Sequence, residues 1–169
     1  TAPQNLATGV VADHTYTFAT LTSPVTSRGY KTVIIKVYPQ AGQNLTRIDL
    51  QRKPAVLTGV PAIGWLDIQI NAANCTALIL GGPTTRNSQC ERVHIRAHNC
   101  TSLASLFQGY FALSSIPWFT TSGVTNANGL LYNCYSVVEL PDLDLSNVTD
   151  ASALLRECHS LVHAPKWDL

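Results

Sequence analysis

A spacing of 24 residues in the second half of this 169-residue chain limits what it can fold into more than any other feature. Pro117, Pro141 and Pro165 keep it, as do Leu106, Leu130 and Leu154. Leu113, Val137 and Leu161 form a third column, and Cys134 and Cys158 a fourth, in which Tyr110 takes the earlier place. One step back the spacing becomes 25, since Ile68, Ile70, Ala72, Asn74, Cys75 and Thr76 map onto Val93, Ile95, Ala97, Asn99, Cys100 and Thr101. A period in this range marks a chain built from one repeated supersecondary unit. A single such unit cannot bury its apolar face, so neighbouring units must share a core.

Each unit reads as a strand, a turn and a return. Strands are expected near 66–72, 91–97, 115–121, 139–145 and 163–169, where alternate positions such as Ile68/Ile70, Val93/Ile95 and Leu143/Leu145 are apolar. In the returns, Ala151, Leu154 and Leu155 stand at helical spacing. The expected fold is an α/β-type repeat solenoid: a leucine-rich-repeat-like parallel sheet of about five short strands with helical or irregular returns, over residues 63–169. A small β-rich region, residues 1–62, precedes it as a cap or attachment region, with strands at 15–20, 31–38 and 44–50. There Val33, Ile35 and Val37 share a face, Tyr16 and Phe18 belong to the core, and the first ten residues form a loose arm.

The stretch Leu143-Asp144-Leu145-Ser146-Asn147-Val148-Thr149-Asp150, followed by Leu154-Leu155-Arg156-Glu157-Cys158-His159-Ser160-Leu161, resembles the BspA-like leucine-rich repeats. Their units read D-x-S-N-V-T, then an apolar pair, then C-x-S-L. Gly123-Val124-Thr125 with Leu130, Leu131, Cys134 and Ser136 fits the same pattern, and the resemblance covers roughly residues 64–169. Two positions depart from it: Tyr110 stands at the Cys, and Asn99-Cys100-Thr101 at N-V-T. The resemblance implies a non-enzymatic binding or structural protein of the kind found in bacterial surface proteins, protists and some viruses.

Charged residues make up 12% of the chain and the net charge is +1. Charge is therefore too sparse for the basic footprint of a nucleic-acid binder. No run of 18 apolar residues offers a membrane span, and no basic segment followed by an apolar one marks a signal peptide. With the missing Met and the small Thr1, this fits a protein made without a cleaved export signal. The charges are unevenly placed. Residues 1–100 hold nine Lys/Arg against four Asp/Glu, or +5, and residues 101–169 hold two against six, or −4. Such an object suits head-to-tail stacking or a charged neighbour.

The five cysteines, Cys75, Cys90, Cys100, Cys134 and Cys158, include no C-x-x-C pair. Cys90, His94, His98 and Cys100 share a parity and would point one way from a strand. Along a flat strand the outer two would lie roughly 33 Å apart, too far for one zinc ion. Buried free thiols are expected, with Cys134 and Cys158 on neighbouring rungs. Asn44, Asn74, Asn99 and Asn147 open N-x-[ST] sequons. Because the last three share one repeat column, they read as turn residues.

No G-x-S-x-G, H-E-x-x-H, P-loop or G-x-G-x-x-G occurs. Asp142 and Asp144 could in principle serve as an acid–base pair, but they occupy exposed columns beside Lys166. The chain is expected to be no enzyme and to use no cofactor or metal. The better candidate is the outward strand face, with His94, Arg96, Trp118, Asp142, Asp144 and Lys166, where an exposed Trp near an Arg has the composition of an interface hot spot. Pro165, Trp167 and Leu169 form an edge at the last strand, blunted by Pro165 and needing cover from another chain or from the N-terminal region. The expected partners are other protein subunits, as a homo-oligomer or on a scaffold. The expected role is a virion component, a bacteriophage capsid decoration, cementing or fibre-type protein. The alternative is a bacterial cell-surface or secreted adhesion module.

Overall fold

A computed structural model describes residues 22–25, 29, 34, 36–38, 44–50, 65–82, 89–163 and 167. The chain divides into two compact units, Thr1–Tyr38 and Pro39–Leu169. Among the described residues of the second unit lie five short strands: β1 (Arg47–Asp49), β2 (Asp67–Asn71), β3 (Ala77–Ile79), β4 (Arg92–Arg96) and β5 (Ser115–Phe119). They form two small parallel sheets, one ordered β2-β4-β5 and the other β1-β3.

This corrects the expected leucine-rich-repeat-like solenoid on two counts. The strands do not make one five-stranded sheet, and no helix forms among the described residues. Residues 139–145 carry no strand, although the apolar alternation persists there, with Leu143 and Leu145 buried between exposed Asp142 and Asp144. Only an isolated bridge joins Glu139 to His163. Most of 163–169 lies outside the described residues, as do the expected strand at 15–20, Tyr16, Phe18 and the first ten residues. The described part of 31–38 has no strand, and Val37 is exposed there. The expected strand at 44–50 contains β1, which pairs in parallel with β3, Ile48 opposite Leu78.

The returns fail to become helices for a backbone reason. Ser105, Gly129 and Ala153, each 24 apart, have φ of 55°, 58° and 53°. Gly109, Asn133 and Glu157 repeat the device at 78°, 63° and 63°. An α-helix needs φ near −63° at every residue, so two left-handed residues per return exclude it. Each instead sits third in a four-residue turn, as type II turns require. The closing bonds are Leu106 N–H to Leu103 O, Tyr110 to Phe107, Leu130 to Ala127, Cys134 to Leu131, Leu154 to Ala151 and Cys158 to Leu155.

Alternate N–H groups, freed from any helix, reach across to the next unit. Leu103, Ser105, Phe107 and Gly109 donate to the carbonyls of Asn126, Asn128, Leu130 and Tyr132 at 2.8–2.9 Å. Ala127, Gly129, Leu131 and Asn133 donate onwards to Asp150, Ser152, Leu154 and Arg156 at 2.8–3.0 Å. All eight bonds run in one direction. The 24-residue spacing therefore persists as hydrogen-bond register between turn-rich segments.

The core lies between the β2-β4-β5 sheet and these returns. Ile68, Ile70, Val93, Ile95, Ile116 and Phe119 point in from the strands. Leu103, Leu106, Phe107, Tyr110, Leu130 and Leu131 meet them from the returns. The Phe107 ring lies 5.6 Å from Tyr110 and 5.5 Å from Phe119, centre to centre. Each such side chain, once buried, contributes about 1.5–3 kcal/mol.

Candidate binding face

β4 and β5 build the face. Their register pairs His94 with Trp118 and Ile95 with Phe119, but Arg92 with Ser115. Two residues on β4 thus span the same distance as three on β5, which is a β-bulge. Pro117 sits inside it, where a residue without N–H costs the ladder no donor. The bulge leaves Pro117 and Trp118 both outward, with Ile116 and Phe119 buried on either side.

Three side chains meet there. The rings of His94 and Trp118 pack edge to face, 5.0 Å apart at 70°. The Arg96 guanidinium lies 4.5 Å above the Trp118 ring, within cation–π reach. Trp118 remains 39% exposed, so a flat aromatic surface with a cation above it is open to a partner. Nε2 of His94 is buried and has no hydrogen-bond partner among the described residues. An unsatisfied buried polar atom is unfavourable.

The other expected face residues do not join this cluster by any hydrogen bond or ion pair among the described residues. Asp142 is exposed in the 141–145 segment. Asp144 caps a turn instead: its Oδ1 accepts from the Ser146 hydroxyl at 2.6 Å and the Ser146 N–H at 3.2 Å. The hydroxyl bond, then the amide bond, hold this carboxyl below the usual carboxylate range. A carboxyl stabilised as the anion is a poor proton donor near neutrality. Asp150 is capped alike by Ser152, at 2.5 Å from the hydroxyl and 3.0 Å from the amide. Lys166, Pro165 and Leu169 lie outside the described residues. Trp167 packs half-buried against the core, and its Nε1 has no hydrogen-bond partner among the described residues.

The Cys90/His94/His98/Cys100 set is split between faces. β4 spans only Arg92–Arg96, and the turn bonding Cys100 N–H to Ala97 O breaks the strand parity. Cys90 and Cys100 are buried, His94 points out and His98 is exposed. No group of three or more potential ligands gathers among the described residues. None of the five cysteines is in a disulfide. They donate to carbonyls, often of the preceding unit: Cys100 to Cys75 O, Cys134 to Phe107 O and Cys158 to Leu131 O, each at 3.2 Å.

The sequon column has a structural use. Thr76, Thr125 and Thr149 donate their hydroxyls to the carbonyls of Thr46, Thr101 and Thr125 in the preceding unit, at 3.1–3.2 Å. Asn74 donates to Asn44 Oδ1 at 2.8 Å.

A second surface feature is absent from the expectations above. Phe111, Tyr135 and His159 stack in a column, 5.1 Å and 5.5 Å between centres. Their spacing of 24 was the available signal. Arg156 stands 5.2 Å over the Tyr132 ring, also 24 residues away. An open cleft of about 480 Å³ runs between 114–117 and 138–141. Among the described residues no helix is long and apolar enough to cross a membrane. Compared with protein-family models, curated proteins and solved structures, the chain matches none significantly.

Proposed function

We propose that this chain is a non-enzymatic structural protein that binds neighbouring protein subunits through the face centred on Trp118, as a virion component of the capsid-decoration or fibre kind. The observation that carries the binding role is the half-exposed Trp118 ring held between His94 and Arg96. Aromatic and Arg anchors of this sort dominate the energy of protein interfaces. The carboxylates give no support to a catalytic alternative, since Asp144 is committed to a turn. The virion reading rests on the sparse, nearly balanced charge and on a surface of Thr, Ser, Asn and Gln.

The test is stoichiometry and add-back. Mass spectrometry of purified particles from the source should find the chain in fixed ratio to the main capsid or tail protein. Recombinant chain should rebind particles lacking it, and Trp118→Ala should weaken rebinding by about 2 kcal/mol or more. Absence from purified particles would sink the virion reading. Rebinding indifferent to both Trp118→Ala and Arg96→Ala would sink the face.

A further inference from the structure

We propose that the outward face of β4 and β5 receives an extended acidic segment of a partner protein, with carboxylates on Arg92 and Arg96 and an apolar side chain between them against Trp118. This rests on the binding face proposed above and names the chemistry of its occupant. Arg92, His94 and Arg96 alternate with buried Val93 and Ile95, so all three leave β4 on one side. At about 3.3 Å per residue the two Arg positions stand about 13 Å apart, with His94 midway. Both Arg residues are exposed, and neither side chain forms an ion pair or hydrogen bond among the described residues. Trp118 pairs with His94 in register and lies under the Arg96 guanidinium. The face therefore carries two unneutralised cations with a half-exposed indole between their levels.

An extended segment repeats its side chains on the same spacing. Acids four residues apart on it meet Arg92 and Arg96, whose guanidinium forks can each take a carboxylate through two hydrogen bonds. The residue midway falls opposite His94 and Trp118, where an apolar side chain covers the indole. A nucleic acid fits less well, because it brings a charge at every phosphate. Exposed Asp67 stands opposite Arg92 in the β2–β4 register. Exposed Asp142 and Asp144 follow Trp118 and Thr120 by 24 residues, in the unit beyond β5. A phosphate backbone crossing the face would meet these carboxylates, whereas a short acidic segment loads only the two Arg positions. A second copy of this chain does not offer the motif, since no two Asp or Glu residues in the sequence stand four apart.

NMR titration of the full chain tests this. The probe is the synthetic peptide Gly-Glu-Thr-Leu-Thr-Glu-Gly, with one twin carrying Gln for both Glu, another carrying Lys, and a single-stranded oligonucleotide of similar length. Amide signals of 92–96 and the indole signal of Trp118 should move as the acidic peptide is raised into the millimolar range. The acidic peptide should bind about tenfold more tightly than its Gln twin, and added salt should shrink that ratio. Arg92→Glu combined with Arg96→Glu should reverse the preference, so that the Lys twin binds best. If that double variant does not fold, Arg96→Gln decides, and it should shrink the ratio of acidic to Gln peptide. Equal binding of the acidic and Gln peptides at these signals would overturn the acidic assignment and leave the Trp118 face standing. The face itself is read separately, in the particle rebinding of Trp118→Ala. The proposal is also overturned by three other results. These are signals that stay still with every peptide, tighter binding of the oligonucleotide, or the same signals moving when the chain alone is concentrated, which would give the surface to a second copy.

Discussion

Ser105 and Gly129, one repeat apart, share a left-handed backbone, with φ of 55° and 58°. Ala153 completes the column at 53°. The backbone conformation recurs at this position although the residue type does not. For an L-residue this region costs roughly 1–2 kcal/mol, and glycine avoids the cost. Ala153→Gly should therefore stabilise the protein by about 0.5–1 kcal/mol after glycine's greater unfolded-state entropy is deducted. Gly129→Val should destabilise it by at least about 1 kcal/mol. Urea denaturation of both variants checks the pair, and a loss of stability in Ala153→Gly would contradict the turn assignment.

This column also shows where the sequence was legible. β2, β4 and β5 fall inside the expected strands because alternation and β-branched residues at Ile68, Ile70, Val93 and Ile95 point to one buried face. The returns were misread because apolar residues at Leu154 and Leu155 suit a helix and these turns equally well. What decides is φ at Ser105, Asn133, Ala153 and Glu157, and none of these residue types announces a left-handed position as glycine does. Within the returns only Gly109 and Gly129 gave that signal. At the face, Trp118, Arg96 and His94 were legible from strand parity. The bulge at Pro117 was not, since it depends on register. The bond of Asp144 to Ser146 was not legible, because a carboxylate two residues before a Ser reads equally as a strand residue or a turn cap.

Gly81 is constrained by space. A Cβ there would lie 2.6 Å from the Leu106 carbonyl oxygen and 3.2 Å from that of Ser105. Both obstacles are backbone and cannot swing away. Gly81→Ala should cost about 1–3 kcal/mol, the range for overpacking a tight site. Thermal unfolding measures it. An unchanged midpoint would mean that this return does not lie against 105–106.

Tyr110 occupies the column that Cys134 and Cys158 fill in later units. Its hydroxyl donates to the Leu80 carbonyl at 2.8 Å, fully buried. Tyr110→Phe removes the donor and leaves a buried carbonyl short of a partner, which should cost about 1–3 kcal/mol. Tyr110→Cys restores the repeat's residue but empties most of a ring-sized volume beside Phe107. It should cost more, about 3–5 kcal/mol by analogy with large-to-small core changes. The order of the two denaturation midpoints is the readout, and a Tyr110→Cys variant as stable as Tyr110→Phe would contradict the packing.

The thiols set the alkaline limit of the fold. Burial pushes Cys90 up from 9.0 to about 12, only partly opposed by hydrogen bonding with the Arg92 backbone. Burial and then Cys75 push Cys100 to about 12 as well. Cys134 is raised too, by burial and then by Cys158. A thiol is neutral below its pKa, and the folded state holds these protons longer than the unfolded state does. Their contribution is therefore fully present below pH 9.0 and is lost as pH climbs from 9.0 towards about 12, because only the unfolded chain ionises in that window. Stability measured by denaturant at successive pH values should fall across this window, and Cys90→Ala should fall less steeply than the parent. The same burial protects the thiols chemically, since the thiolate is the nucleophile. Iodoacetamide at pH 8 should label the half-buried Cys158 first and leave Cys90, Cys100 and Cys134 until the protein unfolds. Equal labelling of all four in the folded protein would show that these side chains are not enclosed.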